Sequence, residues 1–172
     1  TENMLYEEKQ IETIPVGPLG LIPLKSCETL GKKVDAWLTG WRNERESEHK
    51  STIAFAGYQR DSYIVGARTP RFGSGEGKGE ILESVRGDDL YILVDVCNYS
   101  LTYQDLKRVI ASVGGKARRI NVIMPFLYES RQHRRTGRES LDCALALQEL
   151  TSMGVENIIT FDAHDPLSLI HI

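Results

Sequence analysis

The sequence predicts an α/β fold in which a parallel sheet is flanked by helices. Three continuous apolar runs, LYILVDV at 90–96, INVIMPF at 120–126 and NIITF at 157–161, suit strands buried on both faces. Between them lie two stretches with apolar residues three and four apart, each closed by glycine, which is the mark of amphipathic helices. Strand, helix, strand, helix, strand is the rhythm of a parallel sheet with right-handed crossovers. Ligands of open α/β sheets gather outside the carboxyl ends of the strands, so three loops become candidates: 97–100, 129–138 and 162–165.

Taken in order, Leu30, Val34, Trp37, Leu38 and Trp41 recur at helical spacing and lead into the polar run RNERESEHK, giving an amphipathic helix first. Residues 52–56 and 63–67 read as short strands whose order in a sheet is open. The glycine-rich stretch RFGSGEGKGE at 71–80 reads as a flexible hairpin. A phosphate-binding P-loop needs Ser or Thr after the lysine and a helix beyond it, whereas Gly79 follows Lys78 and EILESV looks extended. Arg86, Gly87, Asp88 and Asp89 mark a turn before the first buried strand. Leu106, Val109, Ile110 and Val113 share one helical face, stopped by Gly114 and Gly115. Ser140 is suited to cap a last helix carrying Leu141, Ala144, Leu145 and Leu147 towards Gly154.

The 172 residues are 41% hydrophobic and 26% charged, ordinary for one globular domain, which argues against disorder. A net charge of -3 argues against a dedicated nucleic-acid binder, whose field is basic over a whole face. There is no apolar run of membrane-spanning length, and TENMLYEEKQ lacks a signal-peptide core, so the expected location is cytoplasmic. Cys27, Cys97 and Cys143 are scattered singly, which suits reduced core residues better than disulfides or a zinc site. The chain starts without Met and ends in DPLSLIHI, so its ends are expected to be processed or engineered rather than a natural pair of termini.

Two segments carry chemistry. After the second buried strand, Arg131, Gln132, His133, Arg134, Arg135 and Arg138 crowd one loop. Guanidinium groups are permanently charged planar forks that match phosphate oxygens, so a cluster at a strand end suits a polyphosphate clamp. A solvated basic loop or a nonspecific nucleic-acid contact are the alternatives. At Asp162, Ala163, His164 and Asp165, two carboxylates and an imidazole follow the third strand, where Asp162 with phosphate oxygens suits Mg²⁺. Helix capping or plain solvent exposure is the alternative there. No nucleophile elbow or Ser/His/Asp order points to covalent catalysis.

Four collinear stretches, RFGSGE at 71–76, ESVRGDD at 83–89, SRQHRR at 130–135 and DAH at 162–164, resemble the amino-terminal half of ribose-phosphate pyrophosphokinase. That family shows an RFSDGE-like hairpin, an E-x-V-R-G turn, an ARQDRR-like loop and a DLH motif. The resemblance implies a phosphoribosyltransferase-like domain. It also implies an enzyme that transfers the diphosphoryl group of ATP to ribose 5-phosphate with Mg²⁺, giving phosphoribosyl pyrophosphate and AMP. By motif, Phe72, Ser74, Gly75 and Glu76 would contact adenine, commonly across a subunit boundary, which implies a homo-oligomer. Arg131 and Gln132 would bind ATP, with His133 and Arg135 beside the phosphates, and Asp162 and His164 would serve metal and nucleotide.

The sequence departs from the pattern at Ser74, Glu129, His133 and Ala163. The family's second half, with its ribose-5-phosphate loop and catalytic flap, is absent. Residues 1–172 are therefore expected to be the single amino-terminal domain of a two-domain synthetase, with about 166–172 a candidate non-native tail. Alone it is expected to be inactive. The alternative is a noncatalytic regulatory relative that keeps the fold and assembles with active subunits.

Overall fold

A computed structural model describes residues 15–48, 60–96, 100–132 and 134–162. Its main sheet has four parallel strands: β1 (Leu19–Pro23), β4 (Asp89–Leu93), β5 (Arg119–Phe126) and β6 (Asn157–Asp162), side by side in that order. Helix α1 (Glu28–Ser47) follows β1 after a 3-10 turn at Lys25–Cys27. Helices α2 (Ser100–Val113) and α3 (Asp142–Ser152) make the crossovers from β4 to β5 and from β5 to β6. A second, two-stranded antiparallel sheet joins β2 (Ala67–Arg68) to β3 (Glu80–Ile81).

Alternation along the strands decides which helix covers which face. The even-numbered Ile22, Leu90, Ile92, Val94, Ile120, Val122 and Met124 share a core with Leu106, Val109 and Ile110 of α2 and Leu147 and Leu150 of α3. The odd-numbered Leu21 and Leu93, with Ile123, face a smaller core made with Cys27, Val34 and Leu38 at α1. Both faces of β4 are thus covered, which is why its sequence is an unbroken apolar run. At β6 only the even face is packed, and Ile159 and Phe161 stand exposed on the other.

The predicted α/β architecture is observed, with three local corrections. β1 was not anticipated, because LGLIP carries a glycine and a proline, both poor strand formers; it is held by pairing with β4. Residues 63–67 are not one strand. Ile64 makes a single parallel bridge to Leu21 on the far side of β1 from β4, after which the Gly66 N–H bonds the Glu83 carboxylate and the chain leaves for β2. Residues 52–56 lie outside the described residues. Ser140 does not cap α3: the N-cap residue is Leu141, which makes no side-chain capping bond.

The turn at 86–89 also proves to be more than a turn. Asp89 is buried and accepts a bidentate pair from Arg119 at 2.8 and 2.6 Å. Asn121 donates to Asp89 at 2.9 Å and accepts from Asn157 at 2.8 Å, so one polar relay ties the amino ends of β4, β5 and β6. Asp88 is clamped by Arg60. This end of the sheet is structural, and it leaves the carboxyl ends for chemistry. Among the described residues no helix is long and apolar enough to cross a membrane.

Candidate functional site

The arginine loop grows from the carboxyl end of β5. Leu127 is fully buried, and its N–H donates to the Asp162 carbonyl at 3.3 Å, anchoring the loop root to β6. Tyr128 stacks on Tyr103 of α2, with centroids 4.6 Å apart and planes 9° from parallel. Tyr103 in turn donates to Glu149 of α3 at 2.7 Å, and burial together with that carboxylate drives its phenol far up, so it remains a donor. Glu129 then adopts a left-handed φ of 53°, and the Gln132 N–H closes a turn on its carbonyl at 2.8 Å.

Beyond this braced root the loop is open and cationic. Arg131, Arg134, Arg135 and Arg138 are exposed, and among the described residues none of them forms an ion pair with a carboxylate. Other arginines differ: Arg71 and Arg108 at the hairpin, and Arg119 at the amino end of β5, are each committed to an aspartate. Free guanidiniums on a rigid base retain their full hydrogen-bonding capacity for a phosphate ligand. Gln132 does not point freely outward; it donates to the Glu129 carboxylate at 3.2 Å and accepts from the Asp142 N–H at 3.4 Å.

Pairing of β5 with β6 sets Asp162 opposite Phe126, at the mouth of the same loop. Its side chain is exposed and takes part in no ion pair among the described residues. His133, Ala163, His164 and Asp165 lie outside the described residues. Among the described residues no three His, Cys, Asp or Glu side chains converge as a metal cage. An exposed carboxylate is nevertheless a hard oxygen donor of the kind Mg²⁺ accepts, since that ion keeps several waters and takes the rest of its oxygens from a ligand. Asp162 fits this role.

The hairpin between β2 and β3 presents the remaining candidates. Phe72 donates its N–H to Glu76 and Gly75 donates to Phe72, both at 2.8 Å, with Gly75 at φ 90° in the turn. Ser74 Oγ donates to the Glu76 carboxylate at 2.9 Å. The Phe72 ring is 55% exposed, with Lys78 Nζ 6.0 Å from its centroid, so an aromatic face is offered to solvent at the hairpin tip. The stem is fastened to α2. Arg71 donates to Asp105 at 2.7 Å, and Gly79 lies against the Arg108 carbonyl with no room for a Cβ.

These two groups occupy different flanks of α2. Asp105, Arg108 and Ser112 meet the hairpin, whereas Tyr103 and Lys107, two positions round the helix, meet α3 and the root of the arginine loop. No hydrogen bond or ion pair between described residues joins the hairpin tip to the loop. The structure therefore carries Arg131, Gln132 and Asp162 at the carboxyl ends of the adjacent strands β5 and β6, and Phe72, Ser74, Gly75 and Glu76 on a hairpin fastened to the Asp105 flank of α2. Sequence reading missed Tyr128 and Tyr103, which look like ordinary core aromatics, and Ser130, whose buried hydroxyl has no partner. Cys27 and Cys143 are buried free thiols, pushed up mainly by burial, as expected for core cysteines; Cys97 is outside the described residues.

Comparison with known proteins places this geometry. Residues 19–154 match the family model for the N-terminal domain of ribose phosphate pyrophosphokinase. The match starts at β1, well before Arg71 where the legible motifs begin, and stops before Asp162. A ribose-phosphate pyrophosphokinase of Nitrosomonas europaea is 34% identical over 104 residues, covering 57% of this chain and 32% of that protein. Ribose-phosphate pyrophosphokinase 1 of Schizosaccharomyces pombe is 39% identical over 98 residues, 55% of this chain and 24% of its own length. The alignments thus span about a quarter to a third of the length of these curated relatives. Phosphoribosylpyrophosphate synthetase from Mycobacterium smegmatis has the same fold, with a TM-score of 0.65 at 22% identity over 87% of this chain and 44% of that one. The chain has a phosphoribosyltransferase-like fold and belongs to the family of the N-terminal domain of ribose phosphate pyrophosphokinase.

Proposed function

We propose that this chain is the ATP-binding half of a ribose-phosphate diphosphokinase. The observation that carries the reading is the set of four unpaired guanidiniums at the carboxyl end of β5, beside the free carboxylate of Asp162. In the reaction, the anomeric hydroxyl of ribose 5-phosphate attacks the β-phosphorus of ATP. A new bond forms between the hydroxyl oxygen and the β-phosphorus, the bond from the β-phosphorus to the α,β-bridging oxygen breaks, AMP leaves with that oxygen and the hydroxyl loses its proton. Transfers of this kind depend on positioning and charge neutralisation more than on covalent catalysis.

Arg131 holds the phosphate chain, with Arg135 and His133 alongside it. Gln132 keeps the loop at the start of α3 and offers its remaining hydrogen-bonding capacity to the nucleotide. Asp162 and His164 hold Mg²⁺, which when bound offsets charge on the phosphate oxygens. Phe72 stacks on adenine, with Ser74, Gly75 and Glu76 shaping the edge contact. Because the hairpin and the arginine loop occupy opposite flanks of α2, the hairpin that serves one site belongs to a second copy of the chain, and the working form is a homo-oligomer. The sugar-phosphate site and catalytic flap lie in a second half, and the isolated chain turns over no substrate.

A second reading, a noncatalytic regulatory relative, draws on the internal occupation of Glu76 by Ser74 and of Gln132 by Glu129 and Asp142. Ribose-5-phosphate-dependent AMP formation from ATP and Mg²⁺ separates the two, measured on the uninterrupted full-length protein beside this chain. Activity confined to the longer protein supports the synthetase. A folded full-length protein that binds ATP without turnover, and alters the activity of a catalytic partner, supports the regulatory subunit.

A further inference from the structure

A second ligand site is built at the carboxyl end of the sheet, towards its β1 edge and away from β5 and β6. The helices that follow β1 and β4 leave on opposite faces: α1 packs over Leu21 and Leu93, and α2 over Ile92 and Val94. The chain also diverges laterally, since Ile64 pairs with β1 on the side away from β4 while β5 lies beyond β4. This makes the gap between β1 and β4 a topological switch point, where a crevice necessarily opens outside the carboxyl ends. A cleft of about 510 Å³ is found there, within the size range of small-molecule sites.

Its walls are suited to an anion. Lys25, Ser26, Thr69, Arg71, Thr102 and Asp105 all line it. The Asp105 carboxylate is shared between Arg71 and Arg108, each at 2.7 Å, so those three groups sum to one positive charge. Lys25 is exposed and forms no ion pair among the described residues, which adds a second. Three hydroxyls surround these cations, and Ser26 Oγ is held in place by the Asp95 N–H at 3.0 Å. The cleft lies on the Asp105 flank of α2, away from the arginine loop on β5 and β6.

We propose that this cleft binds a small phosphate monoester, with Lys25 as its principal charged contact, independently of the nucleotide at the arginine loop. The test is a titration of the chain with β-glycerophosphate followed by ³¹P line broadening. It is run on the unchanged chain, on Lys25→Ala, on Lys25→Arg and on the double variant Arg131→Ala, Arg134→Ala. Lys25 is exposed, so its replacement leaves the circular-dichroism melt unchanged. The expected result is at least about a tenfold loss of affinity in Lys25→Ala, retention in Lys25→Arg and no more than about a twofold change in the double variant. Absence of binding to the unchanged chain, equal affinity in Lys25→Ala, or loss confined to the double variant each overturns the proposal.

Discussion

Gln132 stands where α3 lacks a capping residue of its own: its side-chain carbonyl accepts the Asp142 N–H at 3.4 Å, from ten positions earlier in the chain. The arginine loop and the first turn of α3 are therefore one mechanical unit. Gln132→Ala is expected to lower stability by about 0.5–1 kcal/mol, the smaller end of capping effects because the bond is long. It should also weaken ATP binding by loosening Arg131. Urea unfolding and calorimetric titration would show both changes; a weakened ligand with an unchanged urea midpoint would mean that Gln132 acts on the nucleotide alone.

Arg131→Ala makes the complementary case. The residue is exposed and unpaired, so its loss should change stability by no more than about 0.5 kcal/mol. Binding of ATP should fall by at least about tenfold, as expected for removal of a charge-assisted phosphate contact. Unchanged ATP affinity would remove the central assignment of the site.

The hairpin should respond to acid. Burial pushes the Asp105 carboxyl up, but hydrogen bonds from Arg71 and Arg108 outweigh it and hold the group below the usual aspartate range. A carboxyl whose folded pKa is depressed contributes stability that is complete above its unfolded value, about 3.9, and lost as pH falls through the lower folded value. Protection of the Phe72 and Gly75 amides, corrected for intrinsic exchange at each pH, should be flat between about pH 5 and 8 and drop below about pH 4. Asp105→Asn should give the low-pH pattern at neutral pH. A protection profile indifferent to this substitution would show that the hairpin is held by its backbone alone.

At the amino ends, Asn121 is the joint of the polar relay, donating to Asp89 and to the Leu90 carbonyl while accepting from Asn157. Asn121→Ala leaves buried groups unsatisfied and is expected to cost about 1–3 kcal/mol, without effect on nucleotide affinity per folded molecule. A substitution with the same cost that also lowers ATP affinity would indicate coupling between the two ends of the sheet.

Legible in the sequence were the apolar runs at 90–96, 120–126 and 157–161, whose strands are Asp89–Leu93, Arg119–Phe126 and Asn157–Asp162, the helices between them, and the crowd of arginines at a strand's carboxyl end. Those features are local: burial on both faces demands unbroken apolar runs, and a helix writes its period into the chain. What the tertiary structure alone decided is everything that depends on residues distant in sequence. β1 exists because β4 lies beside it, despite Gly20 and Pro23. Arg131, Arg134, Arg135 and Arg138 are free whereas Arg71 and Arg119 are neutralised, and only the fold distinguishes them, since charge in a sequence does not reveal its partner. Likewise the separation of Phe72 from Arg131 follows from α2 standing between them, because a helix turns residues 103 and 105 to different neighbours.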